Sequence, residues 1–323
     1  MRLMPERGDA RSVPRDPQRA VQILLGLVWL ADGALQLQPA MFGRSFVTGV
    51  LLPSASGNPA PVAGAIQGMA HFVEPHIAIW NALFAVIQLA IGAGLLVRRT
   101  VRPALVGSFA WSLLVWVFAE GLGGLLTGTA SPLTGAPGAV LLYCLVGLLA
   151  WPATAPRPGR GPTGAGGWGL LGEPWVRAAW ALLWVGGALL LLQPANLAPG
   201  AVRTDLLHAQ AGQPLWLADP LGRVASAVGP HGTPVTLAVA GLLAVVGVGV
   251  ALRWHAGALL GLAAVLALAI WVLGEGLGGI LTGLGTDPNS GPLLALFAFS
   301  LYQLQPRSPG ASGPVPRLAR EAT

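Results

Sequence analysis

One segment of the chain occurs twice. WVFAEGLGGLLTG, Trp116 to Gly128, returns as WVLGEGLGGILTG, Trp271 to Gly283, and the same offset of 155 positions pairs His76 with His231 and Gln38 with Gln193. The register holds without a gap from Trp29 and Trp184 to Pro137 and Pro292. Apolar helices resemble one another by chance because few residue types fill them, but chance does not align their rare Glu, His and Gln-Pro positions. The chain therefore reads as two tandem copies of one unit.

Each copy carries four apolar runs. They lie at 20–37, 77–97, 104–126 and 139–151, and again at 176–192, 235–252, 256–281 and 293–304. About 20 apolar residues cross a hydrocarbon core; the first three runs of each set are long enough and the fourth is short in both. Within lipid the backbone must satisfy its own hydrogen bonds, so runs of Leu, Ala and Val become helices. Composition agrees: 54% of residues are hydrophobic and 9% charged, where soluble domains carry about 25% charged residues. The expected fold class is all-α, a polytopic membrane bundle of eight transmembrane helices in two parallel four-helix repeats. The first run follows a basic leader and would suit a signal peptide, but its end, WLADGALQLQPA, recurs as WVGGALLLLQPA at 184–195, deep in the chain. Both are read as retained helices.

Every basic residue is arginine. With eight spans, Arg2, Arg7, Arg11, Arg15 and Arg19, then Arg98, Arg99 and Arg102, then Arg157, Arg160 and Arg177, Arg253, and finally Arg307, Arg317 and Arg320 fall on one side; Arg44, Arg203 and Arg223 face the other. The positive-inside rule then places both termini in the cytoplasm and the chain in the plasma (inner) membrane. Such scattered charge supports no nucleic-acid partner; the partner it implies is the lipid bilayer. The expected division is a tail at 1–19, a repeat at 20–151, a linker at 152–174 rich in Pro, Gly and Arg, a second repeat at 175–305 and a tail at 306–323. The outer connections, Gln38 to Pro75 and Gln193 to Pro234, are too apolar for solvated loops and read as short amphipathic segments lying at the interface or folding over the bundle.

Charged groups inside a membrane are costly and mark function. Glu120 and Glu275 end the third run of their copies, each followed by Gly-Leu-Gly-Gly, whose small residues permit a helix break and close backbone approach. His76 and His231 open the second run at the same expected height, so imidazole and carboxylate would meet, relay protons or together bind a metal. The first copy has polar residues that the second lacks: Asp32 stands where the second has Gly187, and Glu74 where it has Gly229. Asp32, inside a membrane helix and near Gln36 and Gln38, is the leading candidate. The ligand-binding or proton-relay set is thus Asp32, Gln38, Glu74, His76, Glu120, Gln193, His231 and Glu275, with His76, Glu120, His231 and Glu275 as the metal candidates. Asp205, His208, Asp219 and Arg223 read as solvated loop residues, Asp287-Pro-Asn289-Ser290 as a turn before a helix, and Cys144 as a small buried hydrophobe. No phosphate loop, dinucleotide fingerprint or nucleophile elbow is present. No cofactor is indicated.

The entry to the first helix, RAVQILLGLVWLADGALQLQPAMF, resembles the start of DoxX/DoxD/MauE-type membrane proteins, whose four-helix unit opens with a Leu-Gly-rich helix ending in a polar residue and a proline step. The resemblance covers about 25 residues of each copy, and Gln36 and Gln38 stand where the family pattern has lysine. It implies a redox-associated membrane subunit handling quinone or sulfur compounds; lacking a CxxC pair, the chain by itself carries no thiol–disulfide chemistry. Three functions follow: an accessory protein whose outward polar pocket binds a small ligand or a membrane-complex partner, a transporter of a small solute, metal ion or proton, and a structural subunit of a larger complex.

Overall fold

The computed structural model describes residues 16–152 and 169–304. The basic leader up to Arg15, most of the expected linker and the C-terminal tail lie outside the described residues. Within them all regular structure is helical: α1 (Pro17–Leu35), α2 (Arg44–Phe46), α3 (Ala60–Val73), α4 (Ile77–Leu96), α5 (Val101–Phe118), α6 (Ala139–Ala150), α7 (Glu173–Leu191), α8 (Ala201–Gln210), α9 (Leu215–Val228), α10 (Gly232–Ala251), α11 (Ala256–Ala269) and α12 (Ser290–Leu304). The helix starts obey local rules. Asp16 caps α1 by accepting from the Arg19 backbone N–H at 3.1 Å, and Pro17 occupies the first turn where no donor is needed.

Five helical stretches are long and apolar enough to cross a membrane: Ala60–Leu96, Val101–Phe118, Glu173–Leu191, Leu215–Ala251 and Ala256–Gly274. Their outward residues, such as Ile79 and Val86 on α4, Val106 and Leu113 on α5, Leu182 on α7 and Val265 on α11, are exposed and apolar. Five such helices with exposed apolar side chains fit a multi-pass membrane protein. α1 is less apolar, with Gln18, Arg19, Gln22 and Asp32. α6 and α12, of 12 and 15 residues, reach only about 18 and 23 Å at 1.5 Å per residue.

α1 packs on α4 and α7 on α10. Glycines set the first spacing, since a Cβ on Gly26 would stand 3.0 Å from the Gly92 carbonyl oxygen. α6 and α12 pack together at the centre, with α1 against both. Leu25, Trp29, Tyr143, Trp180 and Phe297 belong to one core that runs through both halves. At one end, arginines close helix C-termini: Arg19 donates to the carbonyls of Leu95 (2.9 Å) and Leu96, and Arg177 to that of Val250 (2.6 Å), placing cations on the negative ends of α4 and α10.

The third runs stop earlier than expected. α5 ends at Phe118 and the helical stretch from Ala256 at Gly274, rather than at Leu126 and Leu281. The cause is a left-handed turn. Gly121, Leu122, Gly123 and Gly124 have φ of 56°, 57°, 62° and 68°, and Gly276 to Gly279 repeat it at 53°, 58°, 69° and 66°. Four such residues in succession reverse the chain, which three glycines in four make affordable.

The apolar connections fold onto the bundle. Turns at Pro39–Phe42, Val47–Leu51 and Leu52–Ala55, with α2 and α3, bury Met41, Phe46, Val47, Leu51, Ala70 and Val73 against Trp80 and Phe84. In the second half α8 and α9 bury Val202, Leu206 and Ala225 in one cluster and Ala209, Leu217 and Leu221 in another.

Candidate functional site

The left-handed turn fixes where each glutamate points. A Cβ on Gly123 would fall 1.9 Å from the Pro137 carbonyl oxygen, so the turn lies directly on the segment that opens α6. Glu120 thereby faces the N-terminus of α6, and its Oε1 accepts from the Val140 N–H at 3.4 Å. Glu275 faces α12 in the same way, accepting from the Ser290 hydroxyl and, at 3.1 Å, from the Gly291 N–H. Each carboxyl sits at the positive end of a short helix.

The two differ in one respect. Both oxygens of Glu275 have donors, whereas Oε2 of Glu120 is shielded from solvent and has no hydrogen-bond partner. Burial and then the Asp287 carboxylate push the Glu120 carboxyl up to about 8. Burial lifts Glu275 to about 7, held back by Ser290 and Gly291.

Glu120 opens on a cavity of about 650 Å³, within the usual size range of small-ligand sites. Its walls come from Gln36 just past α1, from α3, α4 and α5, from the segments 46–58 and 119–139, and from Gly278 and the loop 284–289 of the second half. An aromatic file lines it: Phe72 to Trp80 at 4.7 Å between ring centroids, Trp80 to Phe84 at 6.3 Å, and Phe84 to Trp111 at 5.4 Å. Three more lining atoms are buried without partners: Gln88 Oε1, Trp111 Nε1 and Asn58 Oδ1. Unpaired buried polar atoms are rare and costly in folded proteins, by about 1–3 kcal/mol each. Phe72 and Leu114 line the cavity yet are exposed, so it reaches the apolar flank of the bundle.

Asp287 crosses from the second half to complete this end. It lines the cavity and stands within electrostatic reach of Asp32, Tyr143 and Glu120. Burial raises its carboxyl, while the Thr286 hydroxyl (2.9 Å) and the Asn289 N–H (2.7 Å) donate to it and hold it back. Asp32 is buried and does not line the cavity; Oδ2 accepts from the Tyr143 hydroxyl at 2.5 Å and Oδ1 has no partner. Gln38 donates to the Gly285 carbonyl at 3.1 Å, tying the Asp287 loop to the first half. Asn196 returns the tie by donating to the Ala130 carbonyl at 2.8 Å; Ala130 and Gly285 are themselves 155 positions apart.

Of the expected site residues, the structure therefore brings Asp32 and Glu120 together around Asp287, with Gln38 beside the loop. Others stand apart. Glu74 forms an ion pair with Arg44 at 2.9 Å on the surface. His76 and His231 are exposed at their helix starts. Among the described residues no group of three or more His, Cys, Asp or Glu side chains is placed to hold a metal ion, so the expected set of His76, Glu120, His231 and Glu275 is not assembled as one. Gln193 is half-buried with its Oε1 unpartnered, and Glu275 is engaged with α12.

Sequence reading took Asp287 for a turn residue and gave Gln88 and Trp111 no role. The signal lay in the comparison of halves: the residues 155 positions away are Pro132, Leu243 and Leu266. Gln36, whose side chain donates to Asn81 Oδ1 at 2.6 Å at the cavity margin, has Leu191 as its counterpart. The polar and aromatic set belongs to the first half alone, apart from Asp287. No known family's sequence model, no curated protein and no solved structure matches this chain.

Proposed function

We propose that this chain is a plasma-membrane protein of two parallel four-helix copies, both termini cytoplasmic, whose first copy binds a small, largely apolar ligand with one polar head. The arginine distribution supports the orientation, and the fixed offset, the paired left-handed turns and the reciprocal ties at Gly285 and Ala130 support the duplication. Short α6 and α12 serve as interior members, each with its preceding loop completing the depth of the bundle. The second copy supplies Asp287 and otherwise acts as scaffold.

One observation carries the binding reading. Glu120 Oε2, Gln88 Oε1 and Trp111 Nε1 are buried without partners on the wall of one aromatic cavity. A ligand supplying hydrogen bonds to these atoms removes their cost and buries its apolar body on the rings. The cavity's opening beside Phe72 and Leu114 lets such a ligand arrive from the lipid phase. An accessory role in a redox-associated complex, which the first-helix resemblance implies, is compatible with this site.

The test uses the second copy as template. Gln88→Leu with Trp111→Leu installs the residues found at 243 and 266. Native mass spectrometry of the purified protein, followed by organic extraction, is expected to find a small molecule on the wild type and none on the double variant. Equal occupancy of the two, or a wild type that neither carries a molecule nor is stabilised by any member of a panel of aromatic amphiphiles, overturns the reading.

A further inference from the structure

The chemistry of the cavity lining restricts the ligand class. Glu120 and Asp287 both line it, and among the described residues no arginine or histidine does. The titratable groups facing Glu120 are Asp287 from the second half and Tyr143 and Cys144 from α6, all acids. Beside them lies the file of Trp80, Phe84 and Trp111, whose ring faces attract cations. Gln88, only 7% exposed, adds an unpaired carbonyl oxygen, and Asn58 another. Ligands bearing only acceptors, a quinone included, satisfy Trp111 Nε1 but leave these two oxygens bare. A protonated amine donates to both oxygens and leaves only Trp111 Nε1 unpaired, and its charge offsets the repulsion between the two carboxyls when both are ionised.

Resting on the binding role proposed above, we infer that the cavity of the first half is a site for an aromatic or lipophilic ammonium ion, with Glu120 and Asp287 as its counter-charges and Gln88 as a hydrogen-bond acceptor. Binding ionises Glu120. Its carboxyl, pushed up to about 8 by burial and by Asp287, is mostly neutral at pH 7, so each cation that enters releases up to one proton. The affinity for a permanently protonated amine therefore rises between pH 6 and about 8, by up to about tenfold per unit.

The test compares 2-naphthylmethylammonium with 2-naphthylmethanol, neutral and of nearly the same shape, on the full chain in lipid nanodiscs by titration calorimetry. The ammonium is expected to bind at least tenfold more tightly at pH 8. Glu120→Gln, which keeps the acceptor for the Val140 N–H, is expected to bring that ratio close to one and remove the rise with pH. Equal binding of the two probes to the wild type, or an unchanged ratio in Glu120→Gln, overturns the ammonium assignment and leaves the ligand cavity standing. Failure of both probes to bind at any pH overturns the ammonium assignment and counts against the cavity as a ligand site.

Discussion

Replacing Gly123 with alanine tests how the left-handed turn aims Glu120. Gly123 has φ 62°, and a Cβ there would sit 1.9 Å from the Pro137 oxygen and 2.1 Å from its carbon, both backbone atoms that no side-chain rotation can move. Gly128 is the matched control: its φ is 76°, yet a Cβ there meets nothing within 4 Å. The left-handed conformation by itself costs an L residue about 1–2 kcal/mol. Displacing packed backbone adds about 1–3 kcal/mol. Gly128→Ala should thus lose about 1–2 kcal/mol and Gly123→Ala about 2–5 kcal/mol by the same sums. Reversible unfolding in mixed SDS micelles, followed by far-ultraviolet circular dichroism, gives both values. Because a Cβ on Gly138 would stand 2.3 Å from Glu120 Oε2, movement of the 137–138 segment also displaces the carboxyl, so ligand occupancy should fall in Gly123→Ala and persist in Gly128→Ala. Equal destabilisation by the two substitutions refutes the packing argument and leaves only a conformational penalty.

Three further outcomes follow from the same contacts. A carboxyl whose folded value lies near 8, above its ordinary 4.5, stabilises the fold fully below about pH 4.5 and progressively less as pH rises through 8; the wild type should resist SDS better at pH 5 than at pH 8.5, and an equally steep pH dependence in Glu120→Gln would contradict this. Asn81→Leu strands the Gln36 amide, which donates to Asn81 Oδ1 at 2.6 Å in a buried pair, so it should cost about 1–3 kcal/mol; adding Gln36→Leu should recover part of the loss. Asn196 is buried and donates to Ala130 and Leu190 carbonyls at 2.8 and 2.9 Å, whereas Gln38 is half-buried with one bond; Asn196→Ala should destabilise by about 1–3 kcal/mol and Gln38→Ala by about 0.5–1.5 kcal/mol, with the reverse order counting against the description of these ties.

The helices were legible in the sequence because burial in lipid demands long apolar runs, and length and hydropathy are local properties. Expected and observed starts agree at Ile77, Ala139 and Ala256. Glu120 stood out as an acid within an apolar run, and Asp32 because its partner position holds Gly187. The ends of the third runs were misplaced because glycine permits helix and left-handed turn alike; what decides is the Pro137 and Pro288 backbone lying where a Cβ would be. His76 stands exposed while Glu120 lines the cavity, since equal height on neighbouring helices says nothing about the side each residue faces.

What the sequence by itself determined was the solvent, the helical class and the identity of the rare polar residues, since each follows from transfer free energies of neighbouring side chains. Tertiary structure alone decided which of them meet. Asp287, locally a turn residue, lines the cavity because its loop packs across the halves, where Gln38 donates to the Gly285 carbonyl; Gln88 and Trp111 hold unpaired buried atoms because the surrounding walls supply no partner. Both depend on contacts far apart along the chain, which no local pattern encodes.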